Sequence, residues 1–196
     1  MKLAIFDFDG TITTKDSFED FIFFTQGVAK TLWGIFWNSP ILIAYVLKIV
    51  PNWRAKEQIF SYFYKGWDIG VFDNLARQHA QKRLPALLRP GAMEKLKWHK
   101  DAGHKVVIVS ASFENYLAVW CEEQGVELLA TKVEINVQNL TGKFASKNCH
   151  GEEKVNRIKA AYNLKDFDYI YAYGDTKGDL LLKEIAHEFH YKPFRD

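Results

Sequence analysis

Asp7 and Asp9 stand in the run Asp7-Phe8-Asp9-Gly10-Thr11, directly behind the apolar stretch Leu3-Ala4-Ile5-Phe6. An apolar run of this kind reads as a buried strand. The two carboxylates therefore emerge where that strand ends, and the carboxyl ends of strands are where open α/β sheets bind ligands. Residues two apart share a face of an ideal strand. Carboxylates that close repel each other unless a positive charge lies between them. A divalent cation supplies that charge, and a hard cation such as Mg2+ takes oxygen ligands. The chemistry implied is metal-assisted, with one Asp attacking and the other handling a proton. A plain strand-to-turn junction has the same composition, because Asp and Gly are common turn residues.

Three later features bear on that choice. Ser110-Ala111-Ser112 follows the apolar run Lys105-Val106-Val107-Ile108-Val109. A hydroxyl and backbone N–H groups at a helix N-terminus bind anions. A helix cap is the simpler use, and both hold if Ser112 caps a helix from Phe113 while Ser110 binds phosphate. Lys154 falls in a first helical turn, after Gly151-Glu152-Glu153. A cation there opposes the helix dipole, which points to a specific negative partner, although a lone Lys is ordinarily a solvated one. Tyr173-Gly174-Asp175-Thr176-Lys177-Gly178-Asp179 brings two more carboxylates behind another apolar strand. Asp179 also suits a helix cap. Asp175 has no such ordinary use.

The elements that must position these residues follow from pattern. Strands are predicted at 3–6, 105–109, 127–130, 168–173 and 188–191. Helices are predicted over about 13–84, 91–101, 113–124 (ending at Gly125), 152–162 and 179–186. Residues 133–144 read as a hairpin around Gln138–Gly142, with the glycosylation-like triplet Asn139-Leu140-Thr141 as its turn. Alternating strands and helices give an α/β fold with a parallel sheet. The chain of 196 residues is 48% hydrophobic and 26% charged, the composition of a folded protein. Its net charge of +2 gives no reason to expect nucleic acid. Cys121 and Cys149 make neither a disulfide framework nor a zinc site. With no signal-like N-terminus, the expected location is cytoplasmic. No feature specifies an oligomeric state.

The ordered set Asp-x-Asp, Ser, Lys and Gly-Asp-x-x-x-Asp resembles the haloacid dehalogenase superfamily, and within it the phosphoserine-phosphatase-like subfamily, along essentially the whole chain. The resemblance implies a Rossmann-like core of residues 1–13 and 86–196, with an inserted helical cap of the C1 type at 14–85. It implies a Mg2+-dependent phosphatase acting through an aspartyl-phosphate on a small phosphomonoester such as phosphoserine or another amino-alcohol phosphate. Asp7 is then the nucleophile and Asp9 the acid and base. Ser110 and the N–H of Ala111 hold the phosphoryl oxygens, and Lys154 offsets charge. Asp7, Asp175 and the backbone carbonyl of Asp9 bind the metal, with Asp179 acting behind them. A phosphotransferase, giving the phosphoryl group to an alcohol, uses the same residues. The second Asp of the first motif argues against dehalogenation.

The resemblance further implies that the inserted segment covers the site and reads the leaving group. Its polar candidates are Asp16, Glu19, Arg54 and Lys56. The resemblance to phosphoserine phosphatases implies that Asp16 reads a substrate amine, while its place before Ser17-Phe18 also suits a cap of the first helix; Arg54 can grip a carboxylate or a second phosphate. Thr31–Leu47 carries no charge but holds Trp33, Phe36, Trp37 and Tyr45. It is short for a membrane span and is interrupted at Asn38-Ser39-Pro40. It reads first as two cap helices packed on each other. The second reading is an interfacial hairpin with Lys30 and Lys48 at its ends, peripheral at the inner membrane face. The chain is also similar to bacterial phosphatidylglycerophosphate phosphatases in Asp16-Ser17-Phe18, the apolar cap stretch and Cys149–Val155, which implies a lipid phosphate as the alternative substrate.

Overall fold

The computed structural model describes residues 1–195. Strand β1 (Lys2–Phe6) is followed by four helices, α1 (Ser17–Trp37), α2 (Ser39–Val46), α3 (Asn52–Tyr64) and α4 (Ile69–Lys82). Then come α5 (Pro90–Asp101), β2 (Lys105–Phe113), α6 (Glu114–Gln124) and β3 (Glu127–Thr131). A hairpin of β4 (Val133–Asn136) and β5 (Asn139–Phe144) precedes α7 (Glu152–Ala161), β6 (Tyr169–Gly174) and β7 (Glu188–Tyr191).

The main sheet is parallel throughout, in the order β3-β2-β1-β6-β7. The chain moves outward on one side of β1 and returns on the other, so the end of β1 lies at the switch point where such sheets form their crevice. Along β1, Ala4 and Phe6 enter one hydrophobic cluster and Leu3 and Ile5 the other. Burial on both faces is why this strand reads as an unbroken apolar run.

The segment between β1 and α5 is helical and leaves and rejoins the core at one place. Thr14 N–H donates to Leu87 O, and Arg89 N–H to Ile12 O, each at 2.8 Å. The helices share a core with the sheet. Phe18 meets Phe113 edge-on at 4.9 Å, and Phe60 approaches the same ring at 4.8 Å.

Four local expectations change. Strand β2 runs on through Ser110 and Ser112 to Phe113, so Ser112 belongs to a strand and caps nothing. The hairpin turns at Val137-Gln138, and Asn139–Thr141 lies in β5. Residues 177–184 form 3-10 turns in place of an α-helix, and Asp179 is their third residue, bonded back to the capping Thr176. Helix α1 is broken inside at Gly27 (φ 73°, ψ 168°), beyond which its large side chains are exposed.

Candidate active site

Every core motif residue meets at the carboxyl edge of the sheet. Asp7 follows β1 directly, its N–H held by Tyr173 O of β6 at 2.9 Å. Its side chain is buried, and each oxygen has a partner. Lys154 Nζ donates to Oδ1 at 2.5 Å, and Thr11 Oγ1 to Oδ2 at 3.0 Å. Lys154 sits in the first turn of α7 and also donates to Asp179 Oδ1 at 2.6 Å. Its negative partners are therefore two buried carboxylates, which answers why a cation stands at a helix N-terminus.

Asp179 is a positioning residue. Its Oδ2 accepts from the N–H groups of Asp175 (3.2 Å) and Thr176 (2.9 Å) and from the Thr176 hydroxyl (2.6 Å). It thereby fixes the loop that presents Asp175. Asp175 also pairs with the Arg195 guanidinium. Gly10 carries a positive φ of 78°, and a Cβ there would lie 2.4 Å from Asp175 Oδ2. The first motif thus requires glycine both for its turn and for the close approach of the two loops.

Carboxylate oxygens of Asp7, Asp175 and Asp179 all lie within 4.8 Å of one another. Burial pushes the Asp7 carboxyl well above the usual carboxylate range, and Lys154 only partly offsets this. Burial and the charge of Asp179 raise Asp175 as well. Too many negative charges gathered at oxygen ligands is the donor chemistry of a Mg2+-type cation, and the residues present fit one. The carboxylate of Asp9 is not in this group.

Asp9 instead faces the inserted helices. Ser17 N–H donates to its Oδ1 at 2.7 Å, and the Ser112 hydroxyl donates to its Oδ2. Its pKa is pushed up to about 6, first by burial and then by Asp16, with Lys56 pulling the other way. A carboxyl poised there can give and take a proton near neutrality. A pH prediction follows with opposite signs. Asp16→Asn keeps an N-cap acceptor and removes a negative neighbour. With Asp9 as the proton donor, the basic limb of the kcat/KM profile should move to lower pH. Lys56→Gln should move it to higher pH. Limbs that stay put, or move together, would break the link to Asp9.

Ser110 is buried, and its Oγ accepts from Ser112 N–H at 3.0 Å. Ala111 faces the cavity, and its carbonyl accepts from Lys56 Nζ at 3.0 Å. The cavity holds about 690 Å³ and runs from Asp7, Asp9 and Asp175 outward beneath the helices. Asp16 both lines it and caps α1, accepting from Glu19 N–H at 2.9 Å. Arg54 does not reach the site. It is exposed and stacks on Trp53 at 5.3 Å. Lys56 lines the cavity, beside the rings of Phe18 and Phe113. Two contacts have no counterpart among the expectations from sequence: Thr11 with Asp7, and Ser112, expected as a helix cap, with Asp9.

A parallel sheet with a carboxylate cluster at its switch point and helices inserted over it places an acid-rich site in the crevice where such sheets bind ligands. The chain belongs to the haloacid dehalogenase-like hydrolase family, whose profile matches residues 4–183. It is 35% identical to the protein CicA of Caulobacter vibrioides over 98% of this chain and 86% of that one. It is 26% identical to a probable phosphatase of Mycobacterium tuberculosis over 98% of this chain and 69% of that one. Among solved structures, a substrate-bound phosphoserine phosphatase superposes with a TM-score of 0.70 at 16% identity, covering 97% of this chain and 85% of that one.

Proposed function

We propose that this chain hydrolyses a phosphomonoester in two displacements at Asp7, assisted by Mg2+. The observation that carries the proposal is Asp7 itself, a buried carboxylate at the closed end of a cavity, held by Lys154 and Thr11, with Asp9 on the side facing the insert. In the first displacement Asp7 takes the phosphoryl group, and Asp9 gives its proton to the departing alcohol. In the second, water attacks the aspartyl-phosphate, and Asp9 takes the proton back. Phosphate and free alcohol leave, and Asp7 is restored. Asp7, Asp175 and the backbone carbonyl of Asp9 would hold a Mg2+-type cation, which would supply neutralising charge to the phosphoryl oxygens. Ser110 and the N–H of Ala111 hold those oxygens, and Lys154 offsets the charge of Asp7.

For the leaving group, the first reading is a small polar alcohol of the amino-alcohol kind, met by Asp16, Glu19, Asn52 and Lys56 on the cavity wall. Arg54 has no part in it. One observation favours a second reading, a lipid phosphate such as phosphatidylglycerophosphate. The outer wall is apolar, formed by Phe18, Ile22, Ile35, Leu42, Ile59 and Phe63. Phosphate release from phosphoserine, other soluble phosphomonoesters and vesicle-borne lipid phosphates, with Mg2+ and with chelator, tests both. Mg2+-dependent release from a soluble ester is the expected result. Release from the lipid alone would replace the first reading by the second. New phosphoester formed from an added alcohol would make the protein a phosphotransferase. No release from any ester would end the proposal.

A further inference from the structure

A surface helix ordinarily buries its large apolar side chains and shows its small and polar ones to water. The far half of α1 does the reverse. Gly27 breaks the helix and redirects it. Beyond the break, Thr31, Gly34 and Asn38 face the protein, at the spacing of one helical stripe. Trp33, Phe36 and Trp37 face outward, 60%, 64% and 59% exposed. Their ring centroids lie 5.9–6.0 Å apart, so they form one exposed aromatic cluster. Helix α2 buries none of its residues. Ile43, Val46 and Leu47 extend the apolar surface, making it far larger than the scattered apolar residues normal on a protein surface.

Within the hairpin and its flanking segment the charges have one sign. No Asp or Glu occurs from residue 21 to residue 56, whereas Lys30, Lys48 and Arg54 do, and all three are exposed. Among the described residues no helix is long and apolar enough to cross a membrane. We infer that the α1–α2 hairpin docks onto an anionic lipid surface, lying in the headgroup region with its aromatics inserted and its cations at the rim. Aromatic rings and flanking lysines are the side chains that such a depth favours, and the missing acids remove repulsion from anionic headgroups. A protein partner or a second copy would not need a rim of one sign. Thr31, Ile35, Leu42 and Tyr45 on the same hairpin line the cavity that ends at Asp7, so docking also sets the cavity beside the membrane. The docking stands independently of the chemistry proposed above, because its test reads binding.

The test is co-sedimentation of the full chain with vesicles of phosphatidylcholine alone and of phosphatidylcholine and phosphatidylglycerol in equal parts. The parent should partition to the mixed vesicles. The triple variant Trp33→Ser, Phe36→Ser, Trp37→Ser should lose roughly tenfold or more in partition. Its turnover of soluble p-nitrophenyl phosphate should not change, since none of the three side chains lines the cavity. Lys30→Gln with Lys48→Gln should weaken binding to the mixed vesicles several-fold, as added salt should. A parent that stays in the supernatant, or a triple variant that binds like the parent, overturns the inference. So does a concentration-dependent dimer that the triple variant abolishes while neither protein binds vesicles, which would assign this face to a second copy.

Discussion

Replacing Asp7 by Asn is expected to lower phosphate release by more than about a thousandfold, the scale of loss when a covalent nucleophile is removed. It should do so without harming the fold. The carboxamide has the same shape, its oxygen can still accept from Lys154, and the sheet around it is unaltered. The charge balance favours the variant. Asp7, Asp175 and Asp179 face Lys154 and Arg195 in a buried site, and burial already holds the Asp7 carboxyl above its ordinary range. A neutral side chain there relieves that excess. In chelator the variant should therefore melt at or above the temperature of the parent, whereas added Mg2+ should raise the parent more than the variant, because ligand stabilisation scales with affinity. Steady-state phosphate release and thermal melts in both conditions make the comparison. A variant keeping a tenth of the parent's activity would remove Asp7 from the nucleophile's role. A variant that loses activity and also melts far below the parent would make Asp7 structural first.

The stability half of that result matters for why the site is built as it is. Four acids at one sheet edge are not what folding alone would select, and the protein retains them against their mutual repulsion. Functional sites are where local choices conflict with stability, and here the conflict is visible in charge.

It is also what made the site legible. Asp7, Asp9 and Asp175 come just after apolar runs that read as buried strands, so their place at strand ends needed no tertiary knowledge. The parallel sheet followed from alternation for the same reason. Positions that depend on how helices roll were less readable. Arg54 and Lys56 are two apart on α3, about 200° around the helix, so the face carrying Ala55, Ile59 and Phe63 into the protein takes Lys56 with it toward the cavity and leaves Arg54 outside. That periodicity was present in the sequence, but which face meets the cavity is set by Phe18 and Phe113 from distant elements. Ser112 was read as a cap because a helix follows. Strand β2 in fact runs on to Phe113 with its register shifted between Ser110 and Phe113, an irregularity that the apolar run before Ser110 does not announce. Gly27 lay unmarked in an apolar helical run, where an isolated glycine signals a break.

The second large effect is expected at Lys154, and on stability. Its side chain is 3% exposed and is shared between Asp7 Oδ1 and Asp179 Oδ1. Lys154→Met keeps the length of the stem and removes the charge. Two buried carboxylates would then face each other with nothing between them, and breaking a buried ion pair from one side costs about 3–5 kcal/mol. For a domain of this size that is roughly a 6–20 °C fall in melting temperature in chelator. The two acids should not recover alike. Asp7 is a proposed ligand of the cation, so Mg2+ should return part of the loss. Asp179 is engaged with the Asp175 and Thr176 N–H groups and the Thr176 hydroxyl and has no such replacement. The double variant Asp7→Asn, Lys154→Met separates the two contributions. If Lys154 stabilises chiefly by neutralising Asp7, the double variant melts well above Lys154→Met alone, with a coupling of the sign and size seen for contacting charges. If it melts with the single variant, Lys154 serves Asp179 and the loop that presents Asp175, and its part in the chemistry is to keep that loop in place. A Lys154→Met protein that melts with the parent would mean the ion pairs contribute nothing, and the excess negative charge argued for this site would have to be neutralised by other groups.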